Sequence, residues 1–185
     1  MIAARPVSKI YLVGFMGAGK TTLGRPLADR LGWTFVDLDA EIEAVEGSSI
    51  VRVFEEKGES YFREIERRVL AEVSARSGNL VIACGGGAFC TAENQIVMHA
   101  HGITVWLDRP FERVWQHRGA LGSVRPLLAV GAPRQSSDEA HLRALYEQRI
   151  IWYKAAMIHL PVGEGELAQA LDRLLGTLAW HISAP

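Results

Sequence analysis

The sequence has few cysteines and almost no net charge. Cys84 and Cys90 are its only cysteines, which excludes a disulfide framework, and their spacing matches no zinc-binding pattern. We predict that both are small buried residues. The formal net charge is −1 and there is no long basic run, so the composition offers no electrostatic footprint for nucleic acid or an anionic membrane surface.

Long apolar runs are also missing. No uncharged stretch is long enough to span a bilayer, and residues 1–9 resemble neither a signal peptide nor a transit peptide. These absences predict a cytoplasmic protein that binds neither membranes nor nucleic acid. With 185 residues, 49% of them hydrophobic, we expect one domain over residues 1–185 and a monomer.

Short apolar segments alternate with helical patterns along the chain. Five of these segments have the composition of buried strands: residues 10–13, 33–36, 80–83, 103–107 and 158–162, the last at a sheet edge. Helical periodicity fills most of the intervals between them. This alternation predicts an α/β fold with a parallel sheet covered by helices on both faces.

Three further segments stand out. Residues 40–77 are helical, with predicted breaks near 46–48 and at 57–58, so we expect several short helices there. Residues 119–137 are rich in Gly, Pro, Ser and Arg without periodicity, and a loop of this length in a compact domain is usually functional or disordered; we interpret it as a lid. Residues 180–185 are expected to be a frayed tail.

A glycine-rich segment follows the first predicted strand. Its residues, Gly14-Phe15-Met16-Gly17-Ala18-Gly19-Lys20-Thr21, fit G-x-x-x-x-G-K-[ST] at every specified position, directly before a helix. Backbone amides and the helix N-terminus can hold phosphate oxygens, while Lys20 reaches the β- and γ-phosphates and Thr21 offers a hydroxyl to Mg²⁺. The motif predicts nucleotide phosphate binding without choosing among GTPases, ATPases and small-molecule kinases.

Two of those classes have weak support. A GTPase requires an Asn-Lys-x-Asp guanine-recognition motif, but Asn79 and Asn94 are the only asparagines and neither is followed by lysine. A mechanical ATPase requires an acid after an apolar strand. Asp108 has that position, but the Arg109-Pro110 pair after it favours a helix cap.

Asp37 and Asp39 lie two residues apart at the end of the second predicted strand. In extended geometry their side chains would point the same way, towards the crevice where open α/β sheets bind ligands. One carboxylate can then hold Mg²⁺, directly or through water, and the other can accept the hydrogen of an attacking hydroxyl. The alternative interpretation is a solvated acidic turn that starts the next helix.

Five segments, in order and spacing along the chain, resemble the signatures of shikimate kinases: Gly14 to Thr22, Asp37-Leu38-Asp39, Phe62-Arg63-Glu64-Ile65-Glu66, Gly85-Gly86-Gly87 and Arg125-Pro126-Leu127-Leu128. The resemblance extends from about residue 10 to 162. It implies a P-loop, nucleoside-monophosphate-kinase-like fold of three αβα layers, with five parallel strands in the order 2-3-1-4-5. It also implies Mg²⁺-dependent transfer of the γ-phosphoryl group of ATP to the 3-hydroxyl of shikimate.

The resemblance assigns roles to particular residues. The nucleotide site that it implies comprises Gly17, Ala18, Gly19, Lys20, Thr21, Thr22, Arg118, which stacks on adenine, and Arg125, which closes over the phosphates. Thr21 is the metal ligand, and Asp37 contacts the metal through water. Asp39 binds the substrate hydroxyls and is the candidate base, so the implied catalytic set is Lys20, Asp39 and Arg125.

The acceptor site is implied by Asp39, Arg63, Gly86 and Arg149. Arg63 pairs with the shikimate carboxylate, for which a planar guanidinium is suited, and Gly86 offers its backbone. Arg149 is the expected second carboxylate anchor. The family pattern has a proline shortly after this arginine, and that proline is absent here, whereas Tyr153 lies at the spacing that the pattern requires. Arg143, on the same predicted helix, is the fallback.

Two alternatives to this assignment stay open at the level of sequence. One is another P-loop small-molecule kinase, such as a gluconate-type enzyme. The other is a non-catalytic, shikimate-kinase-like ligand sensor. A sensor of that kind is expected to need a DNA-binding segment, and only nine residues precede the first predicted strand.

Overall fold

The computed structural model describes residues 7–116, 137–163 and 167–182. These ranges contain five strands and seven helices, in the order β1 (Lys9–Val13), α1 (Lys20–Leu31), β2 (Thr34–Asp37), α2 (Leu38–Glu46), α3 (Ile50–Ala75), β3 (Leu80–Ala83), α4 (Ala92–His101), β4 (Ile103–Asp108), α5 (Phe111–Gln116), α6 (Ser137–Tyr153), β5 (Ile158–Pro161) and α7 (Leu167–Ile182). The predicted α/β class is confirmed.

All five strands form one parallel sheet in the order β2-β3-β1-β4-β5. Ala83 at the end of β3 pairs with Leu12 of β1 on one side and with Asp37 of β2 on the other, and Val13 pairs with Trp106 of β4. The carboxyl ends of neighbouring strands are therefore level. The loops that follow them meet at one edge of the sheet, where open α/β proteins bind ligands.

Side chains alternate between the two faces of the sheet, as expected for buried strands. Tyr11 and Val13 of β1 belong to an apolar cluster that includes residues of α3 and α4. Ile10 and Leu12 belong to a second cluster, with residues of α1 and α7. The two clusters lie on opposite faces, which gives the expected three αβα layers.

Two glycines break the helical region between β2 and β3 as predicted. Gly47 ends α2 with a φ of 63°, and Gly58 interrupts α3 with a φ of 80° and a ψ of 173°. Both lie at positive φ, which glycine adopts at little steric cost. The prediction of a frayed tail is wrong for residues 180–182, since α7 continues to Ile182.

The predicted lid lies outside the described residues, apart from Ser137, which begins α6. Arg118 and Arg125 lie outside them as well. Within the described residues, none of the helices has both the length and the apolar character required to cross a bilayer.

Candidate active site

The loop between β1 and α1 has the form of a phosphate cradle. It begins at Gly14, with a φ of 135°, where a Cβ atom would lie only 2.6 Å from the carbonyl oxygen of Leu107. The loop ends at Gly19, which caps α1 with a φ of 95°. Lys20 is buried, and its Nζ donates hydrogen bonds of 2.8 Å to the carbonyl oxygens of Gly14 and Phe15. The lysine ammonium is therefore held inside the loop.

Thr21 and the two aspartates are linked by hydrogen bonds. Thr21 Oγ1 donates to Asp37 Oδ2 at 2.9 Å, and the Asp39 N–H donates to Asp37 Oδ1 at 3.1 Å. Asp37 is the N-cap of α2 and Asp39 lies in its first turn, so the prediction that both extend from a strand is wrong. The helix begins one residue after Asp37 because the capping carboxylate satisfies a free amide there. Both aspartates nevertheless line the same cavity.

A cavity of about 320 Å³ adjoins this cradle. It brings together all of the residues predicted for the metal and the acceptor: Thr21, Asp37, Asp39, Arg63, Gly86 and Arg149. These residues come from α1, β2, α2, α3, the turn after β3, and α6. Residues distant in sequence thus converge at the edge of the sheet where the strands end.

The turn of three glycines after β3 lies close to the charged side chains of the cavity. A Cβ atom on Gly85 would lie 2.8 Å from Asp39 Oδ1 and 3.0 Å from Glu66 Oε1. A Cβ atom on Gly87 would lie 2.5 Å from Arg63 Nη1. Because glycine has no side chain, these positions leave room for the carboxylates and the guanidinium of the protein itself, and not only for a ligand.

Arg63 is anchored in this cavity by a carboxylate that has no role in the predictions from sequence. Its Nη1 donates to Glu66 Oε2 at 2.7 Å, and its Nη2 donates to the exposed Glu59 at 3.2 Å. Glu66 is only 2% exposed, and burial raises the pKa of its carboxyl group, while Arg63 opposes that rise. Glu66 lies one helical turn after Arg63, and this spacing is the sequence signal for the pair.

Arg149 and Arg143 have different surroundings although both lie on α6. Arg149 is 6% exposed, lines the cavity, and its buried Nη1 has no hydrogen-bond partner among the described residues. Arg143 instead pairs with Glu112 at 3.1 Å and Glu139 at 3.3 Å, and its guanidinium carbon lies 4.2 Å from the centre of the Phe111 ring. The geometry favours Arg149 over the fallback, because a buried guanidinium with an unused donor is available to an anion.

Sequence reasoning missed two contacts between side chains and the loops of the site. The Tyr153 hydroxyl donates to the Gly86 carbonyl oxygen at 2.5 Å, and Arg109 Nη1 donates to the Gly17 carbonyl oxygen at 3.0 Å. Asp108 was predicted to cap a helix, but its Oδ2 lies 2.8 Å from His159 Nε2 on the neighbouring strand. Local sequence patterns give no signal for any of these contacts.

A glycine-rich loop that encloses a lysine joins a strand to a helix, and beside it lies a cavity lined by two aspartates and two arginines. These features define a P-loop kinase of small anionic molecules. The family model described as shikimate kinase matches residues 16–179. The chain belongs to the shikimate kinase family.

Individual relatives agree with this family. A shikimate kinase from Ruegeria pomeroyi is 42% identical over 171 residues, which are 92% of this chain and 84% of the relative. The solved structure of a shikimate kinase from Acinetobacter baumannii in complex with shikimate has a TM-score of 0.84 and 37% identity, covering 94% of each chain. A gluconokinase from Sinorhizobium meliloti has a TM-score of 0.59 at 17% identity, with 95% of this chain and 97% of the other covered, and this likeness shows the fold alone.

Proposed function

We propose that this protein transfers the γ-phosphoryl group of ATP to the 3-hydroxyl of shikimate with the help of Mg²⁺. The observation that carries the proposal is that a cavity beside the P-loop holds Asp39 together with Arg63 and Arg149. Family membership supports the same reaction. A kinase for a hydroxylated carboxylic acid requires these groups, namely a phosphate cradle, a hydrogen acceptor and cations for the carboxylate.

Arg63 and Arg149 are the proposed carboxylate anchors. Guanidinium groups form charge-assisted, frequently bidentate hydrogen bonds with carboxylates and so fix both position and orientation. Glu66 and Glu59 hold Arg63 in place, whereas Arg149 retains a buried donor without a partner among the described residues. We assign the Gly86 backbone to the same end of the substrate, since the Arg149 guanidinium lies 3.3 Å from the position that a Gly86 Cβ would occupy.

The metal and nucleotide roles rest on the cradle and on the Thr21–Asp37 pair. Oxygen donors are the ligands that Mg²⁺ prefers, and these residues offer a hydroxyl and a carboxylate beside the phosphate loop. Mg²⁺, when bound, neutralises phosphate charge. Gly17 to Thr22 and Lys20 Nζ are assigned to the phosphates. Arg118 and Arg125 keep their proposed roles on adenine and on the phosphates, although both lie outside the described residues.

In the proposed transfer, Asp39 accepts the proton of the attacking hydroxyl. The substrate oxygen forms a bond to the γ-phosphorus as the bond from that phosphorus to the bridging oxygen breaks, and ADP leaves. Lys20 offsets the charge that builds up on the phosphate oxygens. The carboxylate anchors keep the hydroxyl in line with the phosphorus, which lowers the entropic cost of the reaction.

The direct test is a coupled assay for ADP with purified protein, Mg²⁺-ATP and shikimate, with the phosphorylated product identified by mass spectrometry. Gluconate and nucleoside monophosphates serve as competing acceptors, and thermal-shift measurements report which of them binds, because a true ligand raises the unfolding midpoint. Transfer to gluconate in place of shikimate would overturn the assignment. Binding of shikimate without any transfer would indicate a ligand sensor.

The proposal also covers the organisation and location of the enzyme. We propose that residues 1–185 form one kinase domain, with acceptor-binding helices over about 40–77 and a lid over about 119–137. We propose further that the enzyme acts as a cytoplasmic monomer without nucleic-acid or membrane partners. Light scattering of the purified protein and cell fractionation test these points. A stable dimer, or an activity that sediments with membranes, would contradict them.

A further inference from the structure

A buried tyrosine on α6 holds the glycine turn of the acceptor cavity. Tyr153 is 1% exposed, and its hydroxyl donates a hydrogen bond of 2.5 Å to the carbonyl oxygen of Gly86. The thiol of Cys90, at 3.9 Å from the same oxygen, is a weaker neighbour. Tyr153 lies one helical turn after Arg149, so a single helix carries both a carboxylate anchor and the group that contacts the turn.

The rest of this turn is held by α4. Asn94 Nδ2 donates to the Ala88 carbonyl oxygen at 2.8 Å, and Gln95 Nε2 donates to the Phe89 carbonyl oxygen at 3.0 Å. The glycines at the start of the turn have no side chains with which to pack, so their backbone depends more on hydrogen bonds than other segments do. Tyr153 supplies such a bond to Gly86 from the side of α6.

The tyrosine hydroxyl is suited to this task at physiological pH. Burial raises the pKa of Tyr153 well above its ordinary value of 10.0. The phenol therefore stays protonated and remains a hydrogen-bond donor to the Gly86 carbonyl oxygen. The ring packs against Trp106, with the two ring centroids 6.1 Å apart, which restricts the direction of the hydroxyl. A buried, protonated and sterically fixed phenol can therefore set the orientation of the peptide group that it contacts.

We propose that Tyr153 is a positioning residue for the acceptor. Its hydroxyl fixes the glycine turn against α6, so that the Gly86 backbone and the Arg149 guanidinium present one combined surface to the substrate carboxylate. This inference rests on the proposed function, because it names the same acceptor and the same cavity. It predicts that loss of the hydroxyl weakens acceptor binding more than nucleotide binding.

The test compares Tyr153→Phe with Tyr11→Phe. Tyr11 is also fully buried, and its hydroxyl donates to Ser74 Oγ at 2.8 Å, a contact between β1 and α3 that does not involve the glycine turn. Both variants lose one buried phenol hydrogen bond, so both are expected to lose similar stability. Only Tyr153→Phe is expected to raise the KM for shikimate, by about fivefold, with little change in the KM for ATP.

Amide hydrogen exchange of the unliganded protein gives a second readout that needs no substrate. Residues 85–90 are expected to exchange faster in Tyr153→Phe but not in Tyr11→Phe. An unchanged KM for shikimate, or equal rises in the KM for both substrates, overturns the inference and leaves the proposed function intact. If the wild-type protein does not phosphorylate shikimate, the proposed function fails. The exchange rates then decide separately whether Tyr153 holds the turn, and unchanged rates overturn that claim.

Discussion

The Thr21 hydroxyl donates a 2.9 Å hydrogen bond to the carboxylate of Asp37, joining the first turn of α1 to the end of β2. The two residues are sixteen positions apart in sequence, and they meet because β2 and β1 flank β3 with their carboxyl ends level. A hydroxyl and a carboxylate are thus placed together beside the phosphate loop before any ligand binds. This preorganisation reduces the entropic cost of assembling a metal site.

The first prediction concerns the dependence of activity on Mg²⁺. Asp37→Asn keeps an oxygen that can accept from Thr21 but removes the negative charge. We expect the Mg²⁺ concentration for half-maximal activity to rise about tenfold, in the range found when residues around a metal are changed. A Mg²⁺ titration at saturating shikimate measures this. Asp172→Asn, at an exposed site on α7, is the control, and identical titrations for both variants would remove Asp37 from the metal site.

The second prediction concerns Lys20. Lys20→Met removes the charge near the γ-phosphate, and we expect kcat to fall by about a hundredfold or more, because single electrostatic donors in active sites have effects of that size. The variant also loses the two hydrogen bonds to the loop carbonyls of Gly14 and Phe15, so a moderate loss of stability is expected. Circular dichroism should show that the fold persists.

Lys154→Met, at an exposed position just after α6, provides the matched control for the loss of a lysine. It is expected to keep wild-type kinetics. Full activity in Lys20→Met would exclude the lysine from the transfer step.

The third prediction distinguishes the two arginines of α6. Arg149→Lys keeps the charge but loses the planar fork, and we expect the KM for shikimate to rise at least about tenfold, since bidentate pairing is lost in a buried site. Arg143→Lys changes the exposed ion pairs with Glu112 and Glu139 and the contact with the Phe111 ring, for which little effect on the KM for shikimate is expected. Steady-state kinetics with varied shikimate measures both variants. A larger effect from Arg143→Lys would reassign the anchor.

Local patterns explain why much of the site could be predicted from sequence. The phosphate loop is a run of consecutive residues, so its spacing alone indicates its function. Arg63 was assigned through the family resemblance, whereas its partner Glu66, one helical turn later, was not predicted although the spacing is local. The strand order came from the family resemblance and is confirmed, although pairing such as that of Val13 with Trp106 depends on contacts 93 residues apart.

Asp39 was expected in an extended segment, but Asp37 caps α2 and the helix begins at Leu38, which agrees in local structure with the alternative interpretation of an acidic turn that starts a helix. Other features depend on the tertiary structure and could not be predicted. Tyr153 and Arg109 contact backbone carbonyl oxygens 67 and 92 residues away, and backbone acceptors carry no residue-type signal. Without the family pattern, Arg149 and Arg143 look equivalent along the helix, and it is burial in the folded chain that separates them.

The last prediction concerns the pH dependence of stability at Glu66. Burial raises the pKa of this carboxyl group above its ordinary value of 4.5. Between 4.5 and the raised folded-state pKa, the folded protein binds a proton that the unfolded chain has released, so this group lowers stability progressively as pH rises through that interval. Glu66→Gln removes the titration while its amide oxygen can still accept from Arg63. The variant should therefore gain stability relative to wild type as pH rises.

Urea unfolding of the wild-type protein and of Glu66→Gln, from about pH 4.5 to about pH 8, measures the difference between their unfolding free energies. The slope of each free energy against pH follows from the number of protons bound in the folded and unfolded states. Glu59→Gln is the matched control, because Glu59 also bonds Arg63 but is exposed, and exposed ion pairs contribute little to stability. A difference that instead favours wild type increasingly with pH would show that the 2.7 Å ion pair with Arg63 outweighs burial and that the folded-state pKa of Glu66 is lowered.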